Sequence, residues 1–83
     1  KKYDNFEEAA KINLDLAMAY NNRASAYSQL GRVDRAIEDY DRAIQLSPRM
    51  AEFYANRAFA YELLNKGAEA RRDIEQAKEM ASI

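Results

Sequence analysis

Residues 17–49 read AMAYNNRASAYSQLGRVDRAIEDYDRAIQLSPR, and residues 51–83, which align with them without a gap at an offset of 34, read AEFYANRAFAYELLNKGAEARRDIEQAKEMASI. The two stretches share small, aromatic and charged residues at equivalent positions. The identical pairs are Ala17/Ala51, Tyr20/Tyr54, Asn22/Asn56, Arg23/Arg57, Ala24/Ala58, Ala26/Ala60, Tyr27/Tyr61, Leu30/Leu64, Ala36/Ala70, Asp39/Asp73 and Ala43/Ala77. A fixed period of this length indicates an array of repeated supersecondary units.

The same register extends to the start of the chain. Phe6 and Ala9 stand where Tyr40 and Ala43 stand one period later, and Ile12 stands at the place of Leu46. The chain is therefore expected to form a single domain with three parts. These are residues 1–16, the second helix of a partial repeat, residues 17–50, a full repeat, and residues 51–83, the C-terminal repeat.

Each period divides into two helices. Apolar residues recur at steps of three and four in both halves, which places them on one helix face. Gly31 and Asn65 stand where a helix must end in the left-handed conformation, and Ser47-Pro48 is a helix-start signal. Helices are predicted at 4–13, 16–30, 33–46, 48–64 and 67–81. Because Leu14 stands where Pro48 stands one period later, the first two helices either break near this residue or continue as one.

Composition supports an all-α class and excludes several functions. Of the residues, 33% are charged and 48% hydrophobic, with two Gly and one Pro, as in packed helices. The net charge of −1 gives no field to attract nucleic acid or an anionic membrane, so neither is an expected partner. The chain has no Cys and no His, and no nucleophile–base pair is apparent. We expect a cytoplasmic protein without enzyme activity, cofactor or metal.

The repeat resembles the tetratricopeptide repeat, whose signature is W-x2-L-G-x2-Y…A-x3-F…P. The first full repeat matches it with Tyr20, Arg23, Ala24, Tyr27, Ala36, Tyr40 and Pro48, and the second with Tyr54, Arg57, Ala58, Tyr61, Ala70 and Ile74, with Ser82 in place of Pro. The resemblance implies antiparallel helix-turn-helix units stacked into a right-handed superhelical α-solenoid segment. The small residues then lie where helices approach closely, and the tyrosines fill the core.

Arg23 and Arg57 replace the usual Leu of this signature, and each repeat also carries an acid, Asp39 or Asp73, on its second helix. We expect Arg23–Asp39 and Arg57–Asp73 ion pairs that join the two helices of a repeat. An Arg–Asp pair could also serve catalysis or phosphate binding. Its recurrence once per period favours the structural role.

The resemblance implies that the first helices of successive repeats line a concave groove that binds a peptide or protein segment. The candidate groove residues are Met18, Asn21, Asn22, Ser25, Ser28, Gln29, Glu52, Ala55, Asn56, Phe59, Glu62 and Leu63. Phe59 and Leu63 replace the polar Ser25 and Gln29 of the preceding repeat. We expect them to form an apolar patch for one hydrophobic anchor of a ligand, although packing against a neighbouring helix is the alternative.

Asn22 and Asn56 resemble the asparagine with which co-chaperone repeats hold the C-terminal carboxylate of a ligand. Such a site needs a cluster of cations and hydrogen-bond donors. Glu52 stands where a lysine of that clamp is expected, and Asn56 where an arginine is expected. A ligand that ends in several acidic residues is therefore expected to bind poorly.

The two ends of the array differ. Arg71 and Lys78 replace Ile37 and Ile44 on the last helix, and such a polar outer face is typical of the end of a solenoid. At the other end, Phe6 and Ala9 belong to a helix whose antiparallel partner would have to precede Lys1. Either the sequence is an excerpt of a longer array or a second copy covers the face, so homo-oligomerisation is the alternative function. RNA recognition by repeats of similar period is disfavoured by the charge balance.

Overall fold

The computed structural model describes residues 6–82, apart from the side chain of Phe6. It contains four helices: α1 (Phe6–Gln29), α2 (Val33–Leu46), α3 (Ala51–Leu63) and α4 (Gly67–Ala81). α1 packs along α2 and α3 packs along α4, while α2 joins the two hairpins by packing against α3. The predicted all-α class, built from helical hairpins, is confirmed.

Of the two alternatives for helices 4–13 and 16–30, the structure has the continuous one, because α1 runs through residues 14 and 15 without interruption. Residues 6–29 contain neither Gly nor Pro, so nothing removes a backbone donor or favours a left-handed turn. Residues 6–16 are therefore continuous with the first helix of the full repeat. The predicted helix start at residue 4 and the side chain of Phe6 lie outside the described residues.

The helix start at residue 48 that Ser47-Pro48 predicted is wrong, because α3 begins at Ala51. The amide of Ser47 donates to the carbonyl of Ala43 at 2.9 Å, so Ser47 closes α2. Pro48 lies in the connecting turn, where its carbonyl accepts a hydrogen bond from the Tyr54 hydroxyl at 3.2 Å. Met50, in an extended conformation, is the last residue before α3. The third helix thus begins three residues later than Ser47-Pro48 predicted, and the turn before it is longer by the same number.

The turns inside the two hairpins are equivalent and confirm the prediction. Gly31 has φ 81° and Asn65 has φ 60°, both in the left-handed region. In the first turn the amide of Arg32 donates to the carbonyl of Tyr27 at 2.8 Å, and in the second Lys66 donates to Tyr61 at 2.9 Å. These bonds satisfy carbonyls at the end of the first helix of each hairpin.

Alanines allow the helices to approach closely at two core clusters. Ala24, Ala36, Tyr40 and Ala60 form one cluster, against which Tyr27, Val33 and Ile37 pack. Ala17, Ala43 and Phe53 form the other, with Tyr20, Ile44, Leu46 and Met50 around it. Both clusters combine residues of α1, α2 and α3, so the core joins the two repeats into one unit. The first helices are thereby placed side by side.

Candidate functional site

One hydrogen bond sets the register between the first helices of the two repeats. The side-chain amide of Asn56 on α3 donates to Asn21 Oδ1 on α1 at 3.0 Å. Because α1 and α3 are each antiparallel to α2, they run in the same direction. Because Asn56 is level with Asn21, we infer that Phe59 and Leu63 are level with the last turns of α1 and that Glu52 is level with its residues near Met18.

The structure brings most of the predicted groove residues to the surface. The exposed members of the set are Met18, Asn22, Ser25 and Gln29 on α1, and Glu52, Ala55, Phe59, Glu62 and Leu63 on α3. Ser28 and Asn56 are half-buried. We define the groove as the surface of α1 and α3 that these side chains form on either side of the Asn21–Asn56 bond.

Asn21 is the groove candidate whose predicted role needs correction. Its side chain is buried, and it accepts the hydrogen bond from Asn56. A buried amide must be hydrogen-bonded, and here the partner is supplied by the next repeat. Asn21 therefore holds the two first helices together beneath the groove. It does not offer its side chain to a ligand.

Phe59 and Leu63 form the apolar part of the groove. Phe59 is 61% exposed and Leu63 is 51% exposed, so packing against a neighbouring helix does not account for either side chain within the described residues. The two residues are one helical turn apart, and such pairs lie on the same face of a helix. Glu62 is next to Leu63, and Glu52 lies two turns before Phe59 on α3. The patch is apolar, with carboxylates at its edges.

The predicted ion pairs are present and hold each hairpin together. Arg23 donates to both carboxylate oxygens of Asp39, at 2.7 and 2.9 Å, and Arg57 does the same with Asp73, at 2.8 Å for both bonds. The hydrogen bond from Arg23 is the main cause that lowers the pKa of the buried Asp39 carboxyl below its ordinary value. Bidentate geometry of this kind adds specificity to the pairing.

Arg57 makes a further contact that sequence reasoning missed. Its Nη1 donates to Asp41 of α2 at 2.8 Å, so this guanidinium links the second repeat to the first. It also lies 5.7 Å from the ring centres of both Tyr54 and Tyr61, where a cation is attracted to an aromatic face. Every nitrogen of Arg57 thus donates to a carboxylate, which leaves the group unsuited to binding a phosphate.

Among residues 6–82, no cluster of acidic side chains is arranged to hold a metal ion. Within the same residues, no helix has both the length and the apolar character needed to cross a bilayer.

Comparison with known proteins agrees with this architecture. A family model described as the tetratricopeptide repeat matches residues 17–50. A solved structure of the second TPR of Spaghetti (RPAP3) bound to the HSP90 peptide SRMEEVD is 34% identical. The match covers 88% of this chain and 67% of that one, with a TM-score of 0.84. The structure of MamA is 30% identical over 80% of this chain and 39% of that one, with a TM-score of 0.77. No curated protein matches significantly.

The fold and the groove define a helical-repeat interaction module. The chain belongs to the tetratricopeptide repeat family. It spans about two fifths of the length of MamA and about two thirds of the Spaghetti chain.

Proposed function

We propose that this chain binds a peptide or an extended protein segment in the groove between α1 and α3. The observation that carries the proposal is the exposed pair Phe59 and Leu63 on the surface where the two first helices meet. Large apolar side chains exposed next to one another are a recurring feature of sites that take a ligand. The peptide-bound Spaghetti domain, which is similar over most of this chain, supports the same class of ligand.

The charges around the patch favour a ligand that has a basic residue next to its apolar anchor. Glu52 and Glu62 are both exposed on α3, on the same surface as Phe59 and Leu63. Carboxylates at the edge of a site mainly steer association and select against partners of like charge. We infer that the preferred ligand has one bulky apolar anchor followed or preceded by Lys or Arg. Non-enzymatic action and a cytoplasmic location remain predictions.

The experiment is a selection from a random peptide library displayed on phage, followed by titration of the selected peptide. Enriched sequences should carry an apolar residue beside a basic one. Phe59→Ala should weaken binding by about 1–3 kcal/mol, the range of a central anchor, with the helical circular dichroism unchanged. Leu30→Ala is the matched control, since Leu30 is also exposed but is not a groove residue. Equal losses in both variants, or a selection dominated by acidic peptides, would overturn the proposal.

A second function, self-association, is favoured by a separate observation. α1 has 24 residues and α2 has 14, so α1 extends roughly 15 Å beyond its partner at 1.5 Å per residue. Ile12 is exposed within this part of α1, and Leu16 is exposed just after it. We propose that the chain can associate with copies of itself through α1.

A further inference from the structure

The interface between α2 and α3 provides an internal template for the side of α1 that α2 does not cover. At this interface Phe53 and Ala60 are fully buried, and Met50 is half-buried. Arg57 lies among them, with its side chain only 19% exposed, and donates to Asp41 of α2. The outer side of a first helix is thus built to receive an antiparallel second helix that carries an acid opposite the arginine.

Among residues 6–82, nothing covers the equivalent side of α1. Ala19, Ala26 and Leu16 stand one period before Phe53, Ala60 and Met50, and all three are exposed. Arg23, the equivalent of Arg57, keeps the pair with Asp39, but its side chain is 55% exposed. Leu16, Ala19, Tyr20 and Arg23 line a crevice of about 260 Å³. We call the surface of Leu16, Ala19, Tyr20, Arg23 and Ala26 the open face of α1.

A segment with the required pattern is present in the chain itself. Residues 7–12 stand one period before residues 41–46 of α2, with Glu7 at the place of Asp41, Ala9 at that of Ala43 and Ile12 at that of Leu46. We call residues 7–12 the acidic segment. Glu7 is exposed and Ala9 is half-buried in the described structure.

The acidic segment cannot reach the open face of its own chain. Both belong to the continuous helix α1, in which Glu7 and Arg23 are 16 positions apart, a distance of about 24 Å along the axis. The same spacing puts them on nearly opposite sides of the helix, about 160° apart. A contact between them within one chain would need a break in α1, so an acidic segment that packs on the open face must belong to another copy.

We propose that the acidic segment of a second copy of this chain packs antiparallel on the open face of α1, with Glu7 of the second copy accepting a hydrogen bond from Arg23. The proposal deepens the second proposed function, self-association, and does not depend on the peptide groove. Because each copy uses two different surfaces on opposite sides of α1, the contact is head-to-tail, and such contacts continue beyond a dimer unless they close into a ring.

The test is sedimentation velocity of the chain from low micromolar to near-millimolar concentration, with charge-reversed variants. The wild type should associate beyond a dimer. Glu7→Lys places a cation opposite Arg23 and should lower the association constant by about tenfold or more, as should Leu16→Lys on the open face. Glu75→Lys is the matched control, because Glu75 stands in the same register on α4 and is also exposed. It should associate like the wild type.

A mixture of variants gives the decisive outcome. Glu7→Lys keeps an intact open face and Leu16→Lys keeps an intact acidic segment, so an equimolar mixture should form one heterodimer and nothing larger. Circular dichroism confirms that both variants remain helical. If the wild type associates but the mixture stays monomeric, the proposal is overturned while self-association still holds. The same conclusion follows if Glu75→Lys abolishes association and Glu7→Lys does not. A wild type that is monomeric throughout overturns both.

Discussion

The side-chain amide of Asn56 donates to Asn21 Oδ1 at 3.0 Å across two helices that belong to successive repeats. The bond lies beneath the groove and sets which residues of α1 and α3 are level with one another. The Asn21 side chain is buried, and a buried amide needs a hydrogen-bond partner within the protein. The geometry of the groove therefore depends on a polar contact between repeats.

Replacing Asn56 with Ala should destabilise the chain by about 1–3 kcal/mol, because the buried oxygen of Asn21 loses its donor. Replacing both residues with Ala should cost less than the sum of the two single changes, since no buried polar group is then left unpaired. Urea denaturation of the two single variants and the double variant measures this coupling. Strictly additive losses would show that the bond does not link the two repeats.

Ala24 lies in the core cluster between α1 and α2, so Ala24→Leu should overpack it and cost about 1–3 kcal/mol. Ala58→Leu should behave alike, because Ala58 is buried at the equivalent place in the second hairpin. Ala26→Leu is the control on the same helix. Ala26 is exposed, and surface substitutions usually change stability by less than about 0.5 kcal/mol. Thermal unfolding in dilute solution should separate the variants, and equal effects at all three positions would refute the assigned helix faces.

The stability of the chain should fall in acid partly through Asp39. Arg23 holds the pKa of the Asp39 carboxyl below its ordinary value in the folded state. The folded state thus gains stability from the ionised carboxyl above the ordinary pKa, near 3.9, and loses it as the pH falls through the lower folded value. Asp39→Asn should therefore be less stable at neutral pH and lose less on acidification than the wild type. Denaturation at pH 7 and pH 3 checks this, and identical losses in both proteins would be inconsistent with the pairing.

The periodic part of the fold could be predicted from the sequence, because equivalent residues perform the same task in each repeat. Gly31 and Asn65 close equivalent turns, and Arg23–Asp39 has its copy in Arg57–Asp73. Contacts between repeats were harder to predict. The Asn21–Asn56 bond joins non-equivalent positions, and the Arg57–Asp41 bond depends on how one hairpin stacks on the next.

The Arg57–Asp41 contact could have been predicted, because an acidic residue recurs at intervals of one period, at Glu7, Asp41 and Glu75. The continuity of α1 could not be settled in advance. Without Pro at position 14, neither backbone chemistry nor helix propensity forces a break there.

The groove should discriminate against acidic ligands. The peptide SRMEEVD, which the Spaghetti domain binds, carries carboxylates near its end, and this chain presents Glu52 where the co-chaperone clamp is expected to have a lysine. We expect weak binding of SRMEEVD, and we expect Glu52→Lys to strengthen it by about 1 kcal/mol at low salt, with the gain reduced as salt rises. Fluorescence anisotropy of labelled SRMEEVD measures both effects. Tight binding by the wild type, unchanged by Glu52→Lys, would show that these carboxylates do not shape the specificity.

The most direct test of the groove is chemical-shift mapping by NMR of the isotopically labelled chain, titrated with the peptide selected from the library. If the ligand lies between the first helices, the largest amide shifts should fall on the last turns of α1 and on α3 around Phe59 and Leu63. Residues on the outer sides of α2 and α4 should stay unchanged. Shifts concentrated on α2 or α4, with α3 unaffected, would contradict the account.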